Sequence, residues 1–263
     1  MSRFRIRVRG GAVGLTRGTV VNFQVYVLVN EEYGDVVVAA EEIEGFFVAP
    51  EAENSKVVFH GVSEVSEERT VIEEGVLKIV DFRRQKVGEY YIGRVILGER
   101  EAGSPGGPAT RVPCRFFGDR CDCPGAAKVW RRWAMGGIVE GEWLRWPAIE
   151  HCSWLHVVQN AWFTAGHRAA RYGANDIVYL NGSNIYNKAS FYCAFGEAVN
   201  GPGGYMGSNL DAMADCMSSN CGDGALAKII WRDFEVSQRL LECSFVEAIL
   251  DIMHEKQVDV DAC

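Results

Sequence analysis

No stretch of the 263-residue chain approaches the roughly 18 consecutive apolar residues that a membrane-crossing helix requires. The basic amino terminus, Met1 to Arg9, is not followed by the apolar core of a secretory leader. A cytoplasmic protein without membrane contact is therefore expected. Enzyme signatures are missing as well. There is no Walker A, H-E-x-x-H or G-x-S-x-G sequence, and Gly10-Gly11-Ala12-Val13-Gly14 is glycine-rich without forming G-x-G-x-x-G. No catalysis and no cofactor are expected. Internal repeats and low-complexity tracts are also absent.

Basic residues are scarce in one region only. Residues 1–175 carry 22 basic and 22 acidic side chains, whereas residues 176–263 carry 5 basic and 13 acidic, which is the whole net charge of −8. An acidic surface repels phosphate backbones and attracts cations. The last third is thus expected to bind a basic partner and not nucleic acid directly.

The nine cysteines are odd in number and form no paired C-x-x-C knuckles. Cys114-x6-Cys121-x-Cys123, with His151, Cys152 or His156 as a fourth ligand, is a weak zinc spacing. Free thiols and no metal are the expectation. Cys152 beside His151 or His156 could be drawn as a nucleophile and base, but packing on a Trp-rich helix accounts for it better.

What the chain does have divides it into three parts. Residues 3–9 alternate Arg with Phe4, Ile6 and Val8, the period of a half-buried strand with a basic face. That face could contact RNA, but pairing with acids such as Glu41, Glu42 and Glu44 is favoured. Short β-branched and aromatic runs follow at residues 25–29, 36–40, 46–48, 56–60, 77–81 and 90–97, the first two joined by a turn-rich Asn30 to Asp35. Residues 1–102 read as a mostly β module of unknown role. The breaker Gly103-Ser104-Pro105-Gly106-Gly107-Pro108 opens a linker and connecting segment, 103–172, that holds six of the seven tryptophans. Within it Ile149, Cys152, Leu155, Val158 and Trp162 recur at helical spacing and suggest a buried stripe. Lys128 to Trp133 interleaves basic and aromatic residues as single-strand binders do, yet six residues fit an interface or core edge better.

Residues 173–263 alternate strands (176–180, 227–231, 258–261) with helices (188–199, 209–219, 234–241, 245–255). This predicts an α/β domain with a small three-stranded parallel sheet and packed helices. Within it Asp211 and Asp215 lie four apart, so both carboxylates leave one side of one helix. Ser208-x-x-Asp211 resembles a capping box, which would give Asp211 a local role; Asp215 lies a turn deeper, beyond the reach of capping.

The run Gly204-Tyr205-Met206-Gly207-Ser208-Asn209-Leu210-Asp211-Ala212-Met213-Ala214-Asp215-Cys216 resembles the signature of the barstar family, intracellular inhibitors of the ribonuclease barnase. The likeness extends back to the strand at 176–180 and forward through Ile230 to Ser237, about a third of the chain. It implies a barstar-like fold and an immunity protein that blocks the active site of a basic ribonuclease or toxin nuclease. By position it implies partner contacts from Tyr205, Gly207, Asn209, Asp211, Asp215 and, more loosely, Glu255. Asp215 matches the central docking carboxylate and Tyr205 the aromatic that meets the nuclease's histidine. Two tryptophans of the family's interface correspond to Ala214 and Asn220, so a preference for barnase itself is not implied. The alternatives are an adaptor with a barstar-like domain for another basic partner, and an RNA-binding regulator using the Arg face and the Trp-rich segment.

Overall fold

The computed structural model describes residues 23–50, 56–66, 70–102, 110–218 and 226–263. The Arg3–Arg9 face, Gly10 to Gly14, the breaker at 103–108 and Asn220 lie outside them.

Nine strands form one antiparallel sheet: β1 (Tyr26–Asn30), β2 (Asp35–Ala40), β3 (Glu42–Glu44), β4 (Val57–His60), β5 (Glu64–Val65), β6 (Val71–Val80), β7 (Lys86–Leu97), β8 (Glu101–Ala102) and β9 (Thr110–Phe116). The order is β3-β4-β9-β7-β6-β1-β2-β5, with β8 added on β9. Only Glu41 separates β2 from β3, and only Gly61 to Ser63 separate β4 from β5. The two ends of the order are therefore tied to each other, and the sheet curls into a barrel-like roll. Bonds from Glu41 N–H to His60 O (3.1 Å) and from Ser63 N–H to Ala39 O (3.0 Å) join them. Alternate residues point inward, and Leu28, Val38, Phe59, Leu77, Ile79, Ile92, Val95 and Val112 are buried there. The expected hairpin is present, with Asn30 paired to Asp35.

The β sheet extends past residue 102. Strand β9 lies inside the sheet, paired with β4 on one side and β7 on the other. Pro113 and two arginines hid it, since proline demotes a strand and the flanking breaker suggested a linker. The connecting segment is likewise not a loose tether. Helices α1 (Ala126–Ala134) and α2 (His151–Thr164) form a layer between the sheet and the C-terminal domain. Trp130 packs the edge of its ring against β7 because residue 88 is glycine; a Cβ there would come within 2.3 Å of that edge. The Asn160 amide of α2 pairs with the backbone of Glu89, accepting from N–H (3.0 Å) and donating to O (2.8 Å). Trp130, Trp133, Trp154 and Trp146 continue as a chain of ring contacts.

The expected stripe on α2 is only half present. Leu155, Val158 and Trp162 are buried, while Ile149 is 81% exposed and Cys152 is exposed. Ile149 sits in a 3-10 turn before the helix. The helix also buries His151, Trp154 and Val157, because it is covered on both sides, by β7 and by the next helix. The interleaved Lys128–Trp133 run is a core edge: Trp130 and Trp133 are buried, and Arg131 and Arg132 pair with Glu42 and Glu142.

The C-terminal domain follows the expected α/β plan. Strands β10 (Ile177–Asn181), β11 (Lys228–Arg232) and β12 (Asp259–Ala262) form a parallel sheet in sequence order. Helices α3 (Lys188–Asn200), α4 (Leu210–Ser218), α5 (Phe234–Leu240) and α6 (Cys243–Glu255) connect them. Central Ile229 and Trp231 are fully buried, and Trp231 stacks on Phe191 of α3 at 5.5 Å. Asn187 closes a capping box with Ser190 at the start of α3. The same Ser190 hydroxyl meets His151 Nδ1 at 3.1 Å, which ties α2 to α3. None of the described helices is long and apolar enough to cross a membrane.

Candidate functional site

Helix α4 and the loop before it are built from a few specific interactions. Helix α3 ends at Asn200, whose side chain accepts from Tyr172 N–H (2.7 Å) and Gly173 N–H (3.1 Å) and donates to Tyr205 O (2.7 Å). One amide thus fastens the loop to the segment that enters the domain. Gly207 has φ +106°, and a Cβ on it would lie 2.6 Å from Met213 N and 2.7 Å from Met213 Cα. Only glycine allows the loop to turn this close beneath the helix. Asn209 then starts α4: its Oδ1 accepts the Ala212 N–H at 2.8 Å, and its carbonyl accepts the Met213 N–H at 2.9 Å. The Ser208–Asp211 capping box is not formed. Ser208 Oγ instead shares a hydrogen bond with the Tyr205 hydroxyl at 3.3 Å.

Met213 and Cys216 anchor the inner side of α4, and Asp211 and Asp215 stand exposed on the outside. Four residues of helix rise place them about 6 Å apart along the axis. Asp211, in the first turn, also lies in the favourable field of the helix dipole. Neither carboxylate has an ion pair or side-chain hydrogen bond among the described residues.

The other expected contact residues divide. Tyr205 is only 2% exposed, and Phe163 from α2 meets its ring edge-on at 5.5 Å. It therefore supports the loop from beneath. Nothing in the sequence around Tyr205 announces the Phe163 cover, because it comes from another layer of the fold. Glu255, the last residue of α6, is exposed and lies 3.2 Å from Lys256 Nζ. Glu247 and Asp251, which no motif singles out, are exposed on the same helix at four-residue steps before Glu255. Ala214 is half-buried in α4.

A second polar joint lies on the far side of α3. Glu197 accepts hydrogen bonds from Gly141 N–H (2.9 Å) and Trp143 Nε1–H (3.0 Å). Its pKa is nevertheless raised, chiefly because burial disfavours the charge. This carboxylate belongs to the contact between the Trp-rich layer and the C-terminal domain.

The sulfur and imidazole groups separate into two sets. Cys121, Cys123 and His156 come together, whereas Cys114 is buried on β9 with its thiol towards Val112 O. His151 bonds Ser190 and the Trp146 carbonyl, and Cys152 bonds the Ile149 carbonyl, so the two do not form a nucleophile–base pair.

Comparison with known families matches residues 175–262 to Barstar (barnase inhibitor). The C-terminal third thus carries a barstar-family domain. No curated protein matches the chain.

Proposed function

We propose that this protein blocks a basic ribonuclease by placing Asp211 and Asp215 of its barstar-family domain in the nuclease's phosphate site. The observation that carries this reading is that both carboxylates are exposed, one turn apart and not neutralised by any described neighbour. Two stacked like charges disfavour a helix by a few tenths of a kcal/mol. Their rigid placement, over the Asn209 cap and the Gly207 turn, suits an external cation better than an internal one.

A carboxylate accepts short, often bidentate bonds from arginine, as a substrate phosphate does. Two of them at fixed spacing can imitate successive phosphate contacts and exclude RNA without any chemistry. Gly207 and Asn209 shape this surface, while Tyr205 holds the loop from below. Glu255, beside Lys256, adds to the field rather than forming a central contact. The acidic excess of residues 176–263 steers a cationic enzyme and repels nucleic acid. The role fits an immunity partner of a secreted or toxin nuclease, acting in the cytoplasm. The domain division proposed here is a β-rich module over residues 1–102, a linker and Trp-rich connecting segment over 103–172 whose strand β9 joins the sheet, and a barstar-like domain over 173–263.

One observation favours a second reading, an adaptor for another basic protein. With Tyr205 buried and alanine at 214, the docking surface is poor in the aromatic anchors that dominate many interfaces. Titrating purified protein into an RNA-cleavage assay separates the two. An inhibitor abolishes cleavage by its basic ribonuclease at one equivalent; an adaptor binds its partner and leaves cleavage unchanged.

A further inference from the structure

The loop between β9 and α1 carries Cys121 and Cys123, and its backbone is pinned. Cys121 N–H donates to Phe46 O (3.1 Å), Val48 N–H donates to Cys121 O (2.9 Å), and Cys123 O accepts the Ala126 N–H that opens α1 (2.9 Å). His156 reaches the same point from α2, with its ring stacked on Tyr90 of β7 at 5.8 Å between centroids. The donor atoms of Cys121, Cys123 and His156 all lie within 4.8 Å of one another.

One donor pair of the cluster has the spacing of ligands on a small tetrahedral ion. Bonds of about 2.3 Å to sulfur and 2.0–2.1 Å to nitrogen put neighbouring donors about 3.6 Å apart. Cys121 Sγ and His156 Nε2 are 3.3 Å apart. The surrounding groups fix the position of the imidazole. Trp130 Nε1–H donates to the Tyr90 hydroxyl at 2.8 Å, so that hydroxyl directs its own proton to His156 Nε2, 3.0 Å away. That contact uses the single lone pair of the neutral Nε2, which a metal ion would take in the proton's place. Phe46 and Phe47 pack edge-on against Tyr90 and keep one wall apolar, while the half-buried Cys123 and His156 leave an entry path.

We propose that Cys121, Cys123 and His156 bind one zinc ion, with an oxygen donor, the Tyr90 hydroxyl or a water beside it, in the fourth position. Two thiolates and an imidazole are a zinc donor set. The thiols release their protons to solvent as the metal enters, so affinity falls as the pH is lowered. The ion would staple the β9–α1 loop to α2 and β7, and so fix the layer on which the barstar-family domain rests. The sequence places these three within a wider candidate set, and the fold selects His156, 33 residues after Cys123 on a different element, over Cys114, His151 and Cys152.

The test uses the reduced full-length chain, stripped of metal and titrated with Co2+ and then Zn2+. One equivalent of Co2+ should produce tetrahedral ligand-field and thiolate charge-transfer absorption, displaced by Zn2+. Cys123→Ser and His156→Gln should each weaken Zn2+ binding by at least about 100-fold, since even outer-shell changes cost 10- to 100-fold. Cys243→Ser, at an exposed thiol at the start of α6, should bind as wild type does. Circular dichroism checks that the variants fold, and chelation should lower the wild-type melting temperature whether or not they do. Failure of the reduced wild type to bind stoichiometric Zn2+, or binding unaffected by folded Cys123→Ser and His156→Gln, overturns the proposal. A Cys121–Cys123 disulfide without metal affinity after reduction overturns it equally.

Discussion

Gly207→Ala is the most informative change in the loop that presents α4. With φ at +106°, an alanine there adopts left-handed backbone, at a cost of about 1–2 kcal/mol for an L-residue. Its Cβ would also meet Met213 N at 2.6 Å and Cα at 2.7 Å. These are helix backbone atoms that cannot swing aside, so α4 must shift, and overpacking of this kind costs about 1–3 kcal/mol. Together the two effects give about 2–5 kcal/mol, which at about 1.4 kcal/mol per decade is roughly a 30- to several-thousand-fold rise in amide exchange across α4. Hydrogen exchange followed at Ala212 and Met213, whose amides bond Asn209, reads it directly. Gly34→Ala is the control, since Gly34 has φ +73° but nothing within 4 Å of a built Cβ. It should loosen the β1–β2 turn and leave α4 untouched. A change of under about threefold in α4 protection by Gly207→Ala would refute the steric argument.

Further outcomes follow from the same contacts. Asn209→Ala should lower stability by about 1 kcal/mol through loss of the cap, with Asn209→Asp restoring most of it in thermal unfolding. Glu197 has a pKa raised by burial, so the folded chain keeps its proton to higher pH than the unfolded chain does. Its ionisation therefore costs stability as the pH rises from the ordinary carboxylate range through the raised value, and the loss reverses on acidification. Glu197→Gln should accordingly be at least as stable as wild type at neutral pH, with the difference narrowing as the pH falls; a pH-independent difference in melting temperature would contradict this. If the acidic surface steers docking, the association rate with the ribonuclease should fall as salt is added, and a salt-independent rate would count against electrostatic steering.

The C-terminal domain was legible almost element by element. Its strands and helices alternate with clear breakers, so periodicity and punctuation place them within about two residues, even for α3, which is buried against both α2 and β10. The Asp211/Asp215 pair was legible for the same reason: a four-residue step on a helix fixes a shared face. Three features were not visible in this way. Pro113 concealed an interior strand. The α2 helix is covered on both sides, so its burial does not follow one stripe, and Ile149 was misassigned to it. Tyr205 was expected at a partner surface, but Phe163, 42 residues away, covers it. The cap shifted by one residue, from Ser208 to Asn209, because Asn209 can satisfy the Ala212 amide while Ser208 is engaged by Tyr205.

The central claim rests on Asp215. Truncating one partner of a buried, hydrogen-bonded charge pair costs about 2–5 kcal/mol, a scale to which barnase–barstar complexes themselves contributed. At about 1.4 kcal/mol per decade this is roughly 30- to several-thousand-fold. The inhibition constant of Asp215→Ala against the basic ribonuclease recovered from the source cell, compared with wild type, measures it. The account predicts a loss of at least about 30-fold with the folded domain intact; a loss of less than about threefold would contradict it.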